Sequence, residues 1–156
     1  MSSAFETFTE AWTQGAWNGS LAEGEQVVRS LLRPDARLEG MGGDLEAVGG
    51  EQYLPYWRNM REAFPDLRCT VEDVLVGEGG RSGTVWFRFE GTHQGEFVGK
   101  PGTGNPIDVR GSSTIWLDEE GRATKIRTAW DIHALLAQIG HAVESIAAHT
   151  EHLRAR

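Results

Sequence analysis

The chain is short of cysteine, of basic charge and of long apolar runs, and each shortage removes a class of protein. Its single cysteine, Cys69, has no internal partner for a disulfide, so nothing points to an oxidising compartment. Lys and Arg total 15 against 23 Asp and Glu, giving a net charge of −8. Phosphate backbones are bound by clustered basic surface, so no nucleic-acid partner is expected. No run approaches the roughly 18 apolar residues of a membrane span. The stretch Met1–Glu6 lacks the basic and apolar regions of a secretory leader. Together these absences predict a cytoplasmic protein with no membrane partner.

What is present fits one globular domain over residues 1–156, with 39% hydrophobic and 24% charged residues. Phe5, Phe8, Ala11 and Trp12 recur at helical steps, and Gly15–Ser20 breaks that helix. Ser20 then caps a second helix, which Arg33-Pro34-Asp35 ends. A short strand is expected over 35–43 and a third helix over 51–64, whose Tyr53, Trp57, Met60 and Phe64 share one face while Tyr56 lies off it. From Leu67 the texture becomes strand: 68–76, 84–90, 107–117 and 123–130, punctuated by glycine turns. A last helix runs from Ile132 to about Ala148, with a possible kink at Gly140. Helices followed by antiparallel strands predict an α+β fold, a curved antiparallel sheet with helices gathered on one face and enclosing a cavity.

Gly91–Asn105 is the most distinctive stretch, with five glycines in fifteen residues and His93 at its mouth. Glycine at that density implies a backbone that bends sharply or approaches something closely. His93 is a candidate acid or base at neutral pH, or a loop histidine bonded within its own turn. Asp131 stands between the last strand and the last helix. It is a natural N-cap, and also a candidate proton carrier if it faces an apolar pocket. Tyr53, Trp57, Met60, Phe64, Trp86 and Trp116 are candidates for the walls of a flat hydrophobic ligand's site, with plain core packing the alternative. Arg88 and Arg110 are candidates for ligand oxygens or for ion pairing on the sheet face. No phosphate loop, nucleophile elbow or metal-ligand spacing is complete, so neither a metal nor a cofactor is expected.

Three motifs occur in order: Ala63-Phe64-Pro65-Asp66-Leu67, then Gly91-Thr92-His93 through Gly104, then Asp131-Ile132-His133 through Gly140. In this the chain resembles the SnoaL-like polyketide cyclase family of the nuclear-transport-factor-2-like superfamily, over roughly residues 21–140. The resemblance implies a cone-shaped α+β barrel, usually dimeric, around a hydrophobic pocket. It also implies intramolecular aldol ring closure of a polycyclic, polyketide-like molecule without metal or cofactor, with Asp131 as acid/base and His93 as helper. Relatives use the same pocket for isomerisation or epoxide opening, and others are non-catalytic binding modules. The chain departs from the pattern at Pro101-Gly102, where paired prolines are usual, and in residues 141–156, a helical extension past the shared region.

Overall fold

The computed structural model describes residues 1–41 and 46–141. Helix α1 (Ala4–Ala11) opens on a capping box, in which Ser3 Oγ accepts from Glu6 N–H at 3.1 Å and the Glu6 carboxylate accepts from Ser3 N–H at 3.0 Å. The expected break at Gly15 does not occur. The chain continues as a π-helical segment, Trp12–Trp17, and turns only at Asn18. This wider winding is uncommon and is found mostly at functional sites. Its last carbonyls are satisfied from helix α3 (Gly49–Ala63): Trp57 Nε1 and Arg61 Nη1 both donate to Ala16 O, at 2.8 and 2.7 Å, and Arg61 Nη2 donates to Gly19 O. A cation at a helix C-terminus also meets the negative end of its dipole.

Helix α2 (Leu21–Leu31), capped by Ser20, passes directly into strand β1 (Leu32–Glu39), so the strand starts three residues before the expected Asp35. Strand β2 (Glu46–Val48) is too short for periodicity to show it. Strands β3 (Arg68–Val76), β4 (Ser82–Thr92), β5 (Pro106–Leu117) and β6 (Ala123–Trp130) form an antiparallel meander. The six-stranded, curved and unclosed sheet has the order β2-β1-β6-β5-β4-β3, with β1 parallel to β6. The sheet is therefore mixed rather than purely antiparallel, because β1 enters from the helical layer and runs alongside the last strand. Helix α4 (Ile132–Gln138) closes at Gly140, whose left-handed φ of 86° ends it. The expected continuation beyond residue 141 lies outside the described residues.

The core lies between the helices and the concave sheet face, where Phe5, Leu54, Trp57, Met60, Phe64 and Leu135 are almost completely buried. Burying a side chain such as Phe64 or Met60 stabilises by roughly 1.5–3 kcal/mol. At one end the glycine-rich loop folds over the α3 C-terminus. Gln94 and Gly95 N–H both donate to Ala63 O, and a Cβ at Gly102 would lie 2.2 Å from Gln94 O. The loop tip is a tight turn in which Phe97 and Lys100 exchange backbone bonds at 3.0 and 2.9 Å. Its central residues, Val98 and Gly99, have φ of 49° and 73°. Glycine adopts that conformation freely; a β-branched valine does so under strain.

Candidate active site

Strand alternation decides what faces inward. On β4 the sequence Val85-Trp86-Phe87-Arg88-Phe89 points Val85, Phe87 and Phe89 into the concavity and Trp86 and Arg88 outward. On β5 Ser113 and Ile115 face in, and on β6 Ile126, Thr128 and Trp130 do so. The helical side supplies Thr9, Trp12, Thr13 and Trp17, followed by Tyr53 and Tyr56 from α3. These groups enclose a cavity of about 70 Å³. Two aromatic clusters face it. On the helical side Trp12 lies 5.9 Å from Tyr53 and Tyr53 lies 5.8 Å from Tyr56, centroid to centroid. On the sheet side Phe89 contacts Phe87 at 4.9 Å, Trp17 edge-on at 4.9 Å and Trp130 edge-on at 6.4 Å.

The polar side chains facing into the cavity are neutral; Glu39 borders it, with its carboxylate turned to the outer sheet face. That carboxylate accepts from Arg127 Nε at 2.9 Å and lies 3.5 Å from Lys125 Nζ. The Arg127 guanidinium holds it below the usual carboxylate range. Ser113 and Thr128 hydroxyls bond to each other at 2.8 Å. Burial pushes the Cys69 thiol up to about 12 and raises the Tyr53 and Tyr56 phenols well above 10, so all three keep their protons at neutral pH. A second, more open groove between α1 and β3 shares Thr9, Thr13, Cys69 and Val71 with the cavity, making these four the partition between the cavity and the outside. Asn18 fixes that partition: its amide donates to Cys69 O at 2.9 Å and accepts from Cys69 N–H at 2.8 Å, completing the edge strand's backbone bonds.

The residues singled out in the sequence fall in five places. Tyr53 lines the cavity. Trp57, Met60 and Phe64 are core, and Trp57 has its indole N–H committed to Ala16 O. Trp86, 44% exposed, Trp116 and Arg110 lie on the outer sheet face. There Arg110 donates to Glu72 at 2.8 Å, Arg88 makes a two-bonded pair with Asp108 at 2.8 and 2.6 Å, and Trp116 lies under Lys125 and Arg127. The arginines therefore follow the ion-pairing alternative. None of Trp57, Trp86 or Trp116 plugs the cavity.

Asp131 follows Trp130 by one residue, which strand alternation sends the other way. Its carboxylate is exposed and accepts from Ala134 N–H at 3.0 Å, while its own N–H donates to Arg110 O. His93 is fully buried beside Phe64, with Nδ1 2.9 Å from Thr103 Oγ1 and Nε2 unpartnered. Neither residue lines the cavity. Tyr56 does, although it lies off the core stripe of α3; that displacement was the sequence signal for it. Ser113 and Thr128 had a fainter one, small polar residues at inward positions two residues from the inward Ile115 and Ile126. Among the described residues no cluster of three His, Cys, Asp or Glu side chains is placed to hold a metal, and no helix is long and apolar enough to cross a membrane.

A mixed, curved sheet wrapped by N-terminal helices around an aromatic cavity defines a small-molecule-binding α+β fold. The profile of the SnoaL-like polyketide cyclases matches residues 3–139, and the chain belongs to that family. Among solved structures, a protein from Jannaschia sp. CCS1 assigned as a SnoaL-like polyketide cyclase is 26% identical with a TM-score of 0.77, covering 90% of this chain and 93% of its own. IdmH from Streptomyces antibioticus, assigned as a polyketide cyclase, is 28% identical with a TM-score of 0.68, covering 86% and 97%. AclR from Streptomyces galilaeus, assigned as a hydroxylase, shares the fold at 18% identity and a TM-score of 0.75, covering 96% and 90%. No curated protein sequence matches the chain.

Proposed function

We propose that this chain is a cofactor-independent cyclase of secondary metabolism, closing a ring in a hydrophobic, polyketide-like molecule by intramolecular aldol chemistry. The observation that carries this reading is the cavity, with aromatic clusters on both sides and a lining of small neutral polar groups. Such a site holds a flat molecule, excludes water and brings two parts of one chain together, where proximity supplies much of the rate. In the same reading Asp131, whose exposed carboxylate caps α4 next in sequence to the cavity-lining Trp130, handles the proton. His93 we assign to holding the glycine-rich loop. The test is turnover of an anthraquinone-type substrate bearing a β-keto side chain, with ring closure followed by chromatography. Asp131→Asn, which keeps the size and much of the cap, is expected to lower turnover at least about 100-fold. A loss of only a few-fold would leave Asp131 as a helix cap and nothing more.

One observation favours a second reading, a non-catalytic binding module. No described carboxylate faces into the cavity: Glu39 borders it, but its carboxylate turns to the outer sheet face, where Arg127 and Lys125 engage it. Tight binding with no product from any substrate of this class would establish that reading. We further propose a homodimer, with a second copy covering the outer sheet face around the exposed Trp86. Sedimentation at micromolar concentration as a single 17.2 kDa species would count against it.

A further inference from the structure

Buried polar side chains in folded proteins are nearly always hydrogen-bonded. The glycine-rich loop largely follows that rule and the cavity walls do not. Thr9 Oγ1 and Trp130 Nε1 are buried without a hydrogen-bond partner; the Tyr53 and Tyr56 hydroxyls are not fully buried, and no described residue bonds them. The two tyrosines stand one turn apart on α3 with their rings 5.8 Å apart. A phenol can donate, an indole N–H can only donate, and a threonine hydroxyl does either. An aromatic cavity whose unpartnered polar atoms are mainly donors is matched by a flat ligand carrying oxygen acceptors at its edge.

Resting on the reading of this cavity as the ligand site, we propose that the Tyr53 and Tyr56 hydroxyls form a paired donor site for the carbonyl or enolic oxygen of a planar aromatic ligand. Trp130 Nε1–H lies on the sheet side as a further donor. The two tyrosines then set specificity: they favour an oxygenated ring system over a hydrocarbon of the same shape, because the hydrocarbon leaves the donors desolvated and unpaired. Burial keeps both phenols protonated, as donation requires.

The test compares 2-acetylnaphthalene with 2-isopropenylnaphthalene, in which a CH₂ replaces the carbonyl oxygen. Dissociation constants are measured by equilibrium dialysis on the full chain and on Tyr53→Phe, Tyr56→Phe and the double variant. Each substitution retains the ring and its packing. The preference for the ketone is expected to fall about tenfold in the double variant, with the alkene's affinity unchanged within about twofold. An unchanged preference in the double variant overturns the donor pair and leaves the cavity reading standing. Failure of the wild-type chain to bind either probe overturns the cavity reading, and the donor pair with it.

Discussion

The cavity and the glycine-rich loop are both built around buried polar groups, yet they treat them in opposite ways. In the loop, His93 N–H donates to Asn105 O at 2.9 Å, Gly104 N–H returns to His93 O at 2.7 Å, and Thr103 meets the imidazole. The loop is then tied to α4: Asn105 Nδ2 donates to Gln138 O, and the Gln138 side chain both accepts from Asp108 N–H and donates to Asp108 O. That end of the molecule satisfies itself except at His93 Nε2, which is buried without a partner. On the cavity walls tyrosine, tryptophan and threonine groups stand without protein partners. In the proposed reading, the region whose polar groups bond one another is structural, and the one whose polar groups stand unpartnered takes the ligand.

The sharpest way to break this contrast is to remove a polar group from each region. His93→Ala deletes a fully buried ring and its bond to Thr103, and is expected to cost about 2–4 kcal/mol in urea unfolding. Tyr53→Phe removes a hydroxyl bonded to no described residue and is expected to change stability by less than about 0.5 kcal/mol. If the two costs came out reversed, the assignment of roles would be reversed with them. A smaller effect of opposite sign is expected at the loop tip. Val98→Gly relieves a left-handed valine that is 60% exposed, and is expected to raise stability by about 1 kcal/mol, read as a higher melting temperature. No change there would mean that the turn relaxes in solution.

The sequence made the sheet's meander legible because its strands end at strong turn signals. β3 and β6 fall on the expected residues, and β4 and β5 differ from expectation by at most two residues at each end. The π-helical segment was not legible, since Gly15 lowers helix propensity locally while Trp57 and Arg61, some forty residues on, hold the segment helical. The parallel placement of β1 was hidden too, because local periodicity carries no information about which strand it joins. At the site, Tyr53 lines the cavity, although the stripe that singled it out consists otherwise of core residues. Tyr56, Ser113 and Thr128 were passed over because hydroxyls carry no chemistry in isolation and gain it only by converging from separate elements.

The pairing of β1 with β6 has a consequence for how the molecule comes into being. Leu38 lies opposite Ile126, and both line the cavity. Joining them closes a loop of nearly ninety residues, whereas the meander from β3 to β6 needs only neighbouring hairpins. Loop closure over that distance must precede any reward from the contacts it makes. The meander can therefore form while the N-terminal part of the chain is still unplaced, and the chamber comes into existence only when that part docks. Ligand capture should then be the last property acquired in refolding, later than the sheet's own signal.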